Sequence, residues 1–193
     1  MTLKIVAVSG SPRKGGNTEL LCKKALESAT KKGCKTEFIS LRGKNINGCI
    51  ACGKCWEKKD GGCHGIKDDF HEVWDNVKGA HGLILASPTY FGSCTAELKA
   101  FMDRAGNVSM ANDYILAGKA GAPIVTARRA GAMTTYSQIA IWYPINGMIL
   151  VGSSYWNVGF CLEKGEVEKD NEALETVERF GANLAEVIKK LLG

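Results

Sequence analysis

The sequence lacks any run of 18 consecutive apolar residues, so it offers no candidate for a helix that spans a bilayer. Its first apolar run covers only residues 5–8 and is too short for the core of a signal peptide. No basic stretch precedes that run, and no small-residue cleavage site follows it. We therefore expect a cytoplasmic protein without a membrane partner.

A basic stripe interleaved with aromatic residues is also missing, although the net charge is +5. The lysines are spread among glutamates along segments with helical periodicity, which is typical of a solvated surface. This distribution argues against a nucleic-acid partner. The sequence contains no repeat, low-complexity run or linker, so residues 1–193 should form one domain.

What the sequence does contain is a regular alternation of apolar strands and amphipathic helices. Buried strands are predicted at residues 4–9, 35–41, 82–87, 122–126 and 148–152. Helices are predicted at residues 17–32, 68–77, 95–105, 133–143 and 174–191. This alternation predicts an α/β fold, a doubly wound five-stranded parallel sheet. The flavodoxin-like strand order 2-1-3-4-5 fits a chain of this length.

In such a sheet, ligands bind beyond the carboxyl ends of the strands. The loop after the first strand, residues 9–18, combines hydroxyl groups, a fixed positive charge and the start of a helix, which are the components of a phosphate site. No Gly-Lys-Ser/Thr closes the loop and it is not G-x-G-x-x-G, so neither a nucleoside triphosphatase nor a classical dinucleotide fold is indicated. The candidate phosphate-binding residues are Ser9, Ser11, Pro12, Arg13, Asn17 and Thr18.

Two further loops belong to the same predicted edge. The loop after the third strand contains Pro88, Thr89, Tyr90, Phe91 and Gly92. Its aromatic side chains and backbone amides suit a flat ring system. The loop after the fourth strand, residues 126–131, contributes Thr126, Arg128 and Gly131. Its sequence fits a ring-binding loop more loosely than that of the loop after the third strand.

Four of the eight cysteines lie within fifteen positions, in a segment without strand or helix periodicity at residues 48–66. Cys49, Cys52, Cys55 and Cys63 have the spacing C-x2-C-x2-C-x7-C. Short gaps allow three thiolates to bind one metal cluster, and the longer gap allows a fourth to return to it. A zinc ion bound by the four cysteines is an alternative to the cluster, although structural zinc sites usually pair two C-x2-C knuckles. A loop without metal is the third interpretation.

Together, S-G-S-P-R-x-G-x-N-T, S-P-T-Y-F-G and a downstream F-M-D-R resemble the NAD(P)H-dependent FMN reductase family of flavodoxin-like proteins. The cysteine spacing resembles the iron–sulfur flavoproteins within it, although metal-free relatives carry similar cysteines near a Lys-Asp-Asp segment (here residues 67–69). The resemblance implies FMN held by the first loop at its phosphate and by the second along its ribityl chain and ring. It also implies a possible [4Fe–4S] cluster on the four cysteines, and a homo-dimer or homo-tetramer.

The implied function is FMN-dependent electron transfer. Electrons would come from NAD(P)H or a ferredoxin-like donor and pass to a small-molecule acceptor. A non-enzymatic flavin carrier or redox sensor, with a metal-free or zinc-binding cysteine loop, is the alternative. No general acid or base can be named from the sequence.

Overall fold

A single parallel sheet forms the centre of the protein, whose computed structural model describes residues 2–193. The strands are β1 (Lys4–Ser9), β2 (Lys35–Ser40), β3 (Gly82–Pro88), β4 (Ala120–Ala127), β5 (Ile149–Leu150) and β6 (Val158–Phe160). Their order is β2-β1-β3-β4-β5, with β6 also paired to β4. The predicted order 2-1-3-4-5 is therefore confirmed.

Helices cover both faces of this sheet. They are α1 (Asn17–Lys31), α2 (Lys54–Lys58), α3 (Phe70–Lys78), α4 (Ala96–Ala111), α5 (Ala132–Ala140), α6 (Trp142–Ile145) and α7 (Asn171–Leu192), with a 3-10 turn at Glu166–Lys169. Helices α1 and α7 bury one face of the sheet, and α3 and α4 bury most of the other. Among residues 2–193, no helix is both long and apolar enough to cross a membrane.

The central strands are buried on both faces because helices lie above and below them. All eight residues of β4 are buried, as are the first six of β3. This explains why they appear in the sequence as continuous apolar runs without alternation. On the outer layer, α1 and α7 approach so closely that a Cβ on Gly181 would lie 2.0 Å from the carbonyl oxygen of Ala25.

The fifth strand position differs from its prediction at residues 148–152. Only Ile149–Leu150 pairs with the amino half of β4, and Val158–Phe160 takes over beside its carboxyl half. The helix predicted at residues 133–143 is divided into α5 and α6, and Pro144 lies within α6. Helix α4 continues beyond residue 105 to Ala111. The cysteine segment, predicted to lack helix, contains the short helix α2.

Candidate functional site

A cleft of about 220 Å³ opens where the carboxyl ends of β1, β3 and β4 meet. It gathers residues from all three predicted loops together with the segment that follows β6. The lining residues are Ser11, Arg13, Asn17, Thr18, Pro88, Thr89, Tyr90, Thr126, Ala127, Arg128, Cys161 and Leu162. Of the predicted residues, Ser9, Pro12, Phe91, Gly92 and Gly131 lie outside this lining.

The loop after β1 is shaped by its own serines. The Ser9 hydroxyl, which is buried, accepts a hydrogen bond from the Ser11 N–H at 3.3 Å. The Ser11 hydroxyl in turn accepts from the Arg13 N–H at 3.4 Å. Helix α1 follows with Gly16 as its N-cap and no side-chain capping hydrogen bond. The first-turn N–H groups of a helix have no partner within it, so here they remain free for an anionic ligand.

The side chain of Asn17 forms hydrogen bonds with a distant part of the chain. Its amide nitrogen donates to the Glu163 carbonyl at 2.8 Å, and its amide oxygen accepts from the Gly165 N–H at 2.8 Å. The Arg13 guanidinium donates to the Leu162 carbonyl at 3.3 Å. The segment 161–167 is thereby held over the loop after β1. Sequence reasoning missed this segment, because nothing local in it indicates a contact about 150 residues away.

Two buried threonines connect the first loop with the end of β4. The hydroxyls of Thr18 and Thr126 lie 2.7 Å apart and form a hydrogen bond. The Thr126 carbonyl also accepts from the Thr89 N–H at 2.7 Å. Thr89 contrasts with this pair, because its hydroxyl is buried and finds no hydrogen-bond partner within residues 2–193. An unpartnered buried hydroxyl beside a cleft suits a site that accepts a polar ligand.

The loop after β3 ends in a tight turn. Tyr90 and Ser93 exchange two backbone hydrogen bonds, at 2.9 and 3.1 Å, around Phe91 and Gly92. Both central residues have positive φ, 51° and 76°, as in a type I′ turn. Glycine adopts this conformation freely, whereas a bulky residue such as Phe91 is strained there. The Phe91 side chain is fully exposed at the tip of the turn.

The loop after β4 packs directly on that turn. A Cβ on Gly131 would lie 3.1 Å from both the Gly92 Cα and the Thr89 Cγ2, so no larger residue fits there without movement. The Thr134 hydroxyl donates to the Gly92 carbonyl at 2.8 Å. Arg128 from the same loop reaches the cleft itself. Gly131 thus supports the turn and does not line the cleft.

Cys161 is the one thiol in the cleft lining. Burial, together with the nearby Glu166 carboxylate, raises its pKa to about 11. At neutral pH this thiol is therefore protonated and a poor nucleophile.

A second cavity, of about 180 Å³, lies between the cysteine segment and α4. All four predicted ligands, Cys49, Cys52, Cys55 and Cys63, line it. A water molecule in the liquid occupies about 30 Å³, so the cavity has room for a group of several atoms. Among residues 2–193, however, no three or more His, Cys, Asp or Glu side chains are arranged around a single metal ion.

Nitrogen donors contact two of these sulfurs. The Ala51 N–H donates to the Cys49 Sγ at 3.4 Å, and the Arg104 guanidinium donates to the Cys63 Sγ at 3.3 Å. Burial raises the pKa of Cys55; the backbone N–H groups of Cys55 and Trp56 oppose this, and the Cys63 and Cys49 thiols add to it. Hydrogen bonds of this kind stabilise sulfur in its thiolate form.

The cysteine segment leaves β2 at the carboxyl edge but does not stay there. The cavity is closed by Arg104, Asn107 and Val108, which lie 8 to 12 residues beyond the start of α4 at Ala96. At 1.5 Å per residue, this is about 12–18 Å along the helix from its end near the cleft. The cysteine cavity is therefore displaced from the loops at the carboxyl edge.

Comparison with known proteins decides the family. Residues 3–163 match the family described as NADPH-dependent FMN reductase. The chain belongs to this family. It is an FMN-dependent oxidoreductase with a flavodoxin-like fold.

Within the FMN reductase family, the chain is similar to proteins named iron-sulfur flavoprotein. It is 39% identical over 194 residues to one from Methanocaldococcus jannaschii, covering 97% of this chain and 98% of that protein. It is 33% identical over 189 residues to one from Methanosarcina thermophila, covering 97% of this chain and 96% of that protein.

Solved structures agree on the fold. A flavodoxin, WrbA-like protein from Agrobacterium tumefaciens superposes with a TM-score of 0.70 at 16% identity, covering 98% of this chain and 99% of that one. RosB with bound 8-demethyl-8-formylriboflavin-5'-phosphate superposes with a TM-score of 0.77 at 15% identity, covering 99% of this chain and 81% of that one. At these identities the likeness establishes the flavodoxin-like architecture alone.

Proposed function

We propose that FMN binds in the cleft with its phosphate at the loop after β1. The support is the set of uncapped N–H groups at the start of α1, the Ser11 hydroxyl at the cleft and the Arg13 guanidinium at its rim. Backbone donors at a helix start and an arginine are the groups that bind a phosphate dianion. Asn17 acts differently from its sequence interpretation in this proposal: its side chain holds segment 161–167, and only its backbone N–H faces the phosphate.

The ribityl chain and the ring belong beside Pro88, Thr89 and Tyr90 in this proposal. Tyr90 lines the cleft and is half exposed, so a flat ring can cover it. The unpartnered Thr89 hydroxyl offers a hydrogen bond to a sugar-like chain placed there. When bound, FMN supplies hydride and single-electron chemistry, while the protein orients it and sets its potential.

The cysteine cavity belongs to a [4Fe–4S] cluster rather than to zinc in this proposal. Four thiols open onto a space too large for one ion. A tetrahedral zinc site with Zn–S bonds near 2.3 Å would draw its sulfurs to about 3.8 Å from one another. No such trio is found within residues 2–193. The relatives named iron-sulfur flavoprotein support the same assignment.

The function that follows is electron transfer from NAD(P)H or a ferredoxin-like protein to a small acceptor. Relatives named NAD(P)H-dependent FMN-containing oxidoreductase and NAD(P)H dehydrogenase (quinone) support the nicotinamide donor. The single observation that carries the proposal is the presence of two separate sites in one chain, the cleft at the carboxyl edge and the four-thiol cavity beside α4.

Anaerobic purification with iron, sulfide and FMN analysis tests the cofactor content. We expect one FMN, about four iron and about four sulfide per chain. Protein that carries FMN without iron would disprove the cluster and leave the FMN assignment standing. Steady-state oxidation of NADH and NADPH with a quinone acceptor then identifies the donor.

The phosphate position is tested by Arg13→Ala, with the exposed neighbour Lys14→Ala as the matched control. Loss of a charge-assisted hydrogen bond should weaken FMN binding by roughly 1.5–3 kcal/mol, or about one to two decades in Kd. Lys14→Ala should bind FMN nearly as the wild type does. Equal affinity in all three proteins would place the phosphate elsewhere.

A further inference from the structure

Two motifs from the sequence find no role in the FMN cleft: the Lys-Asp-Asp segment at residues 67–69 and F-M-D-R at residues 101–104. The structure joins them. The Arg104 guanidinium lies 2.6 Å from the Asp68 carboxylate, and both side chains are fully buried. One residue stands at the end of the cysteine segment and the other on α4.

The carboxylate of this pair ties both ends of the cysteine segment together. Besides Arg104, Asp68 accepts from the Asn47 N–H at 2.9 Å and from the Phe70 N–H at 3.2 Å. Asn47 lies just before the first cysteine of the motif, and Asp68 lies five residues after the last. Asn45 and Asp69 join the same two ends by further hydrogen bonds at 2.7 and 3.0 Å, so the pair and these bonds together hold a loop of about twenty residues.

The guanidinium does more than balance this charge. Its Nη1 donates to the Asp68 carboxylate, and its Nη2 donates to the Cys63 Sγ at 3.3 Å. The Phe70 ring, 4.2 Å from the guanidinium carbon, covers one face of the group. Arg104 is therefore held in place from two sides, with one nitrogen directed at a sulfur. A planar fork can divide its donors in this way, whereas a lysine ammonium is a compact point charge whose donors all lie on one nitrogen.

We propose that Arg104 is a positioning residue for Cys63 and raises the reduction potential of the cluster bound there. The inference rests on the proposed function, since it requires the cluster. Cys63 is separated from Cys55 by seven residues, the widest gap in the motif, so its sulfur depends most on an outside support. A reduced cluster carries one more negative charge than the oxidised form. A hydrogen bond from a cation to its thiolate stabilises that reduced form, and such bonds are known to tune cluster potentials.

The test compares wild type with Arg104→Lys, which keeps the positive charge against Asp68 but removes the donor to Cys63. Each protein is prepared anaerobically and analysed for FMN, iron and sulfide, and its cluster is titrated with a redox dye under spectroscopic observation. Lys99→Met is the matched control, because it removes an exposed positive charge from the same helix without touching a thiol.

We expect Arg104→Lys to retain FMN and to shift the reduction equilibrium about tenfold towards the oxidised cluster, which is about 59 mV for one electron. The cluster of Lys99→Met should have the same reduction potential as that of the wild type. The double variant Arg104→Gln/Asp68→Asn leaves no unpaired buried charge, and the clusters that it retains should titrate at a potential at least as low as those of Arg104→Lys while FMN stays bound.

A full cluster at the wild-type potential in both Arg104 variants overturns the inference and leaves the proposed function intact. Wild-type protein with FMN but no iron overturns both. A merely structural pair would alter stability or cofactor content without moving the potential of the clusters that remain.

Discussion

The hydrogen bond between Thr18 and Thr126 allows a quantitative test of the cleft. Both hydroxyls are buried, they lie 2.7 Å apart, and they join the first turn of α1 to the end of β4. Thr18→Val leaves the Thr126 hydroxyl buried without its partner, and Thr126→Val does the converse. An unsatisfied buried hydroxyl costs about 1–3 kcal/mol, whereas replacing both partners by apolar groups of the same shape is nearly neutral.

Each single variant should therefore lose about 1–3 kcal/mol of unfolding free energy, and the double variant should lie within about 1 kcal/mol of wild type. Urea unfolding of FMN-free protein measures these values. In a chain of this length each kcal/mol corresponds to about 2–4 °C in Tm, so thermal melts provide a second reading. If the double variant loses as much as the two single variants combined, the hydroxyls do not depend on each other and the described pairing is wrong.

The same three proteins report on FMN. Both threonines line the cleft proposed for FMN, so the double variant should bind FMN more weakly even though its stability is close to that of wild type. A weakening of about 0.5–1.5 kcal/mol is expected for each hydroxyl bond lost to the ligand. Full FMN affinity in a stable double variant would mean that these threonines hold the fold and do not contact FMN.

Three further predictions follow from single contacts. Thr89→Val removes a buried hydroxyl without a partner, so FMN-free protein should gain up to about 1–3 kcal/mol, and a loss of stability in urea would contradict this. Gly181→Ala places a Cβ 2.0 Å from the Ala25 carbonyl and should cost about 1–3 kcal/mol by separating α1 from α7; an unchanged urea midpoint would mean that the helices lie further apart. The pKa of Asp68 is lowered because the hydrogen bonds from Arg104 and Asn47 outweigh the opposing effect of burial. Its ionised form stabilises the fold above the unfolded pKa of about 3.9, and this contribution disappears as pH falls through the lower folded value. As pH falls from 6 to 3, wild type should thus lose more unfolding free energy than Asp68→Asn does. Equal losses would mean that the ionised Asp68 carboxylate does not stabilise the fold.

The fold was predictable because its central strands are buried on both faces. A strand such as β3 has no solvent side, so its residues form an uninterrupted apolar run that is easily recognised. The meeting of the three loops at one cleft was predictable for the same reason, since parallel strands direct their following loops to one edge. The short β6 escaped prediction because three residues, two of them at least partly exposed, form no distinctive pattern.

The contacts that local patterns miss are those between distant segments. The amide of Asn17 indicates a helix start in the sequence, yet its hydrogen bonds go to residues about 150 positions away. Arg104 was visible as part of a motif, but its partners on the cysteine segment lie 36 to 57 positions earlier and required the fold to bring them together. Charge and composition could not reveal either arrangement.

The bonds from Asn17 and Arg13 to segment 161–167 also bear on how the protein matures. The loop after β1 is synthesised about 150 residues before the segment that holds it in shape. A growing chain that ends before residue 163 has its first strand and helix but not this brace. Contacts of such long sequence separation form late in folding. In the proposed site, FMN therefore binds only after residues 161–167 have been added, and flavin fluorescence quenching during synthesis should mark completion of the fold.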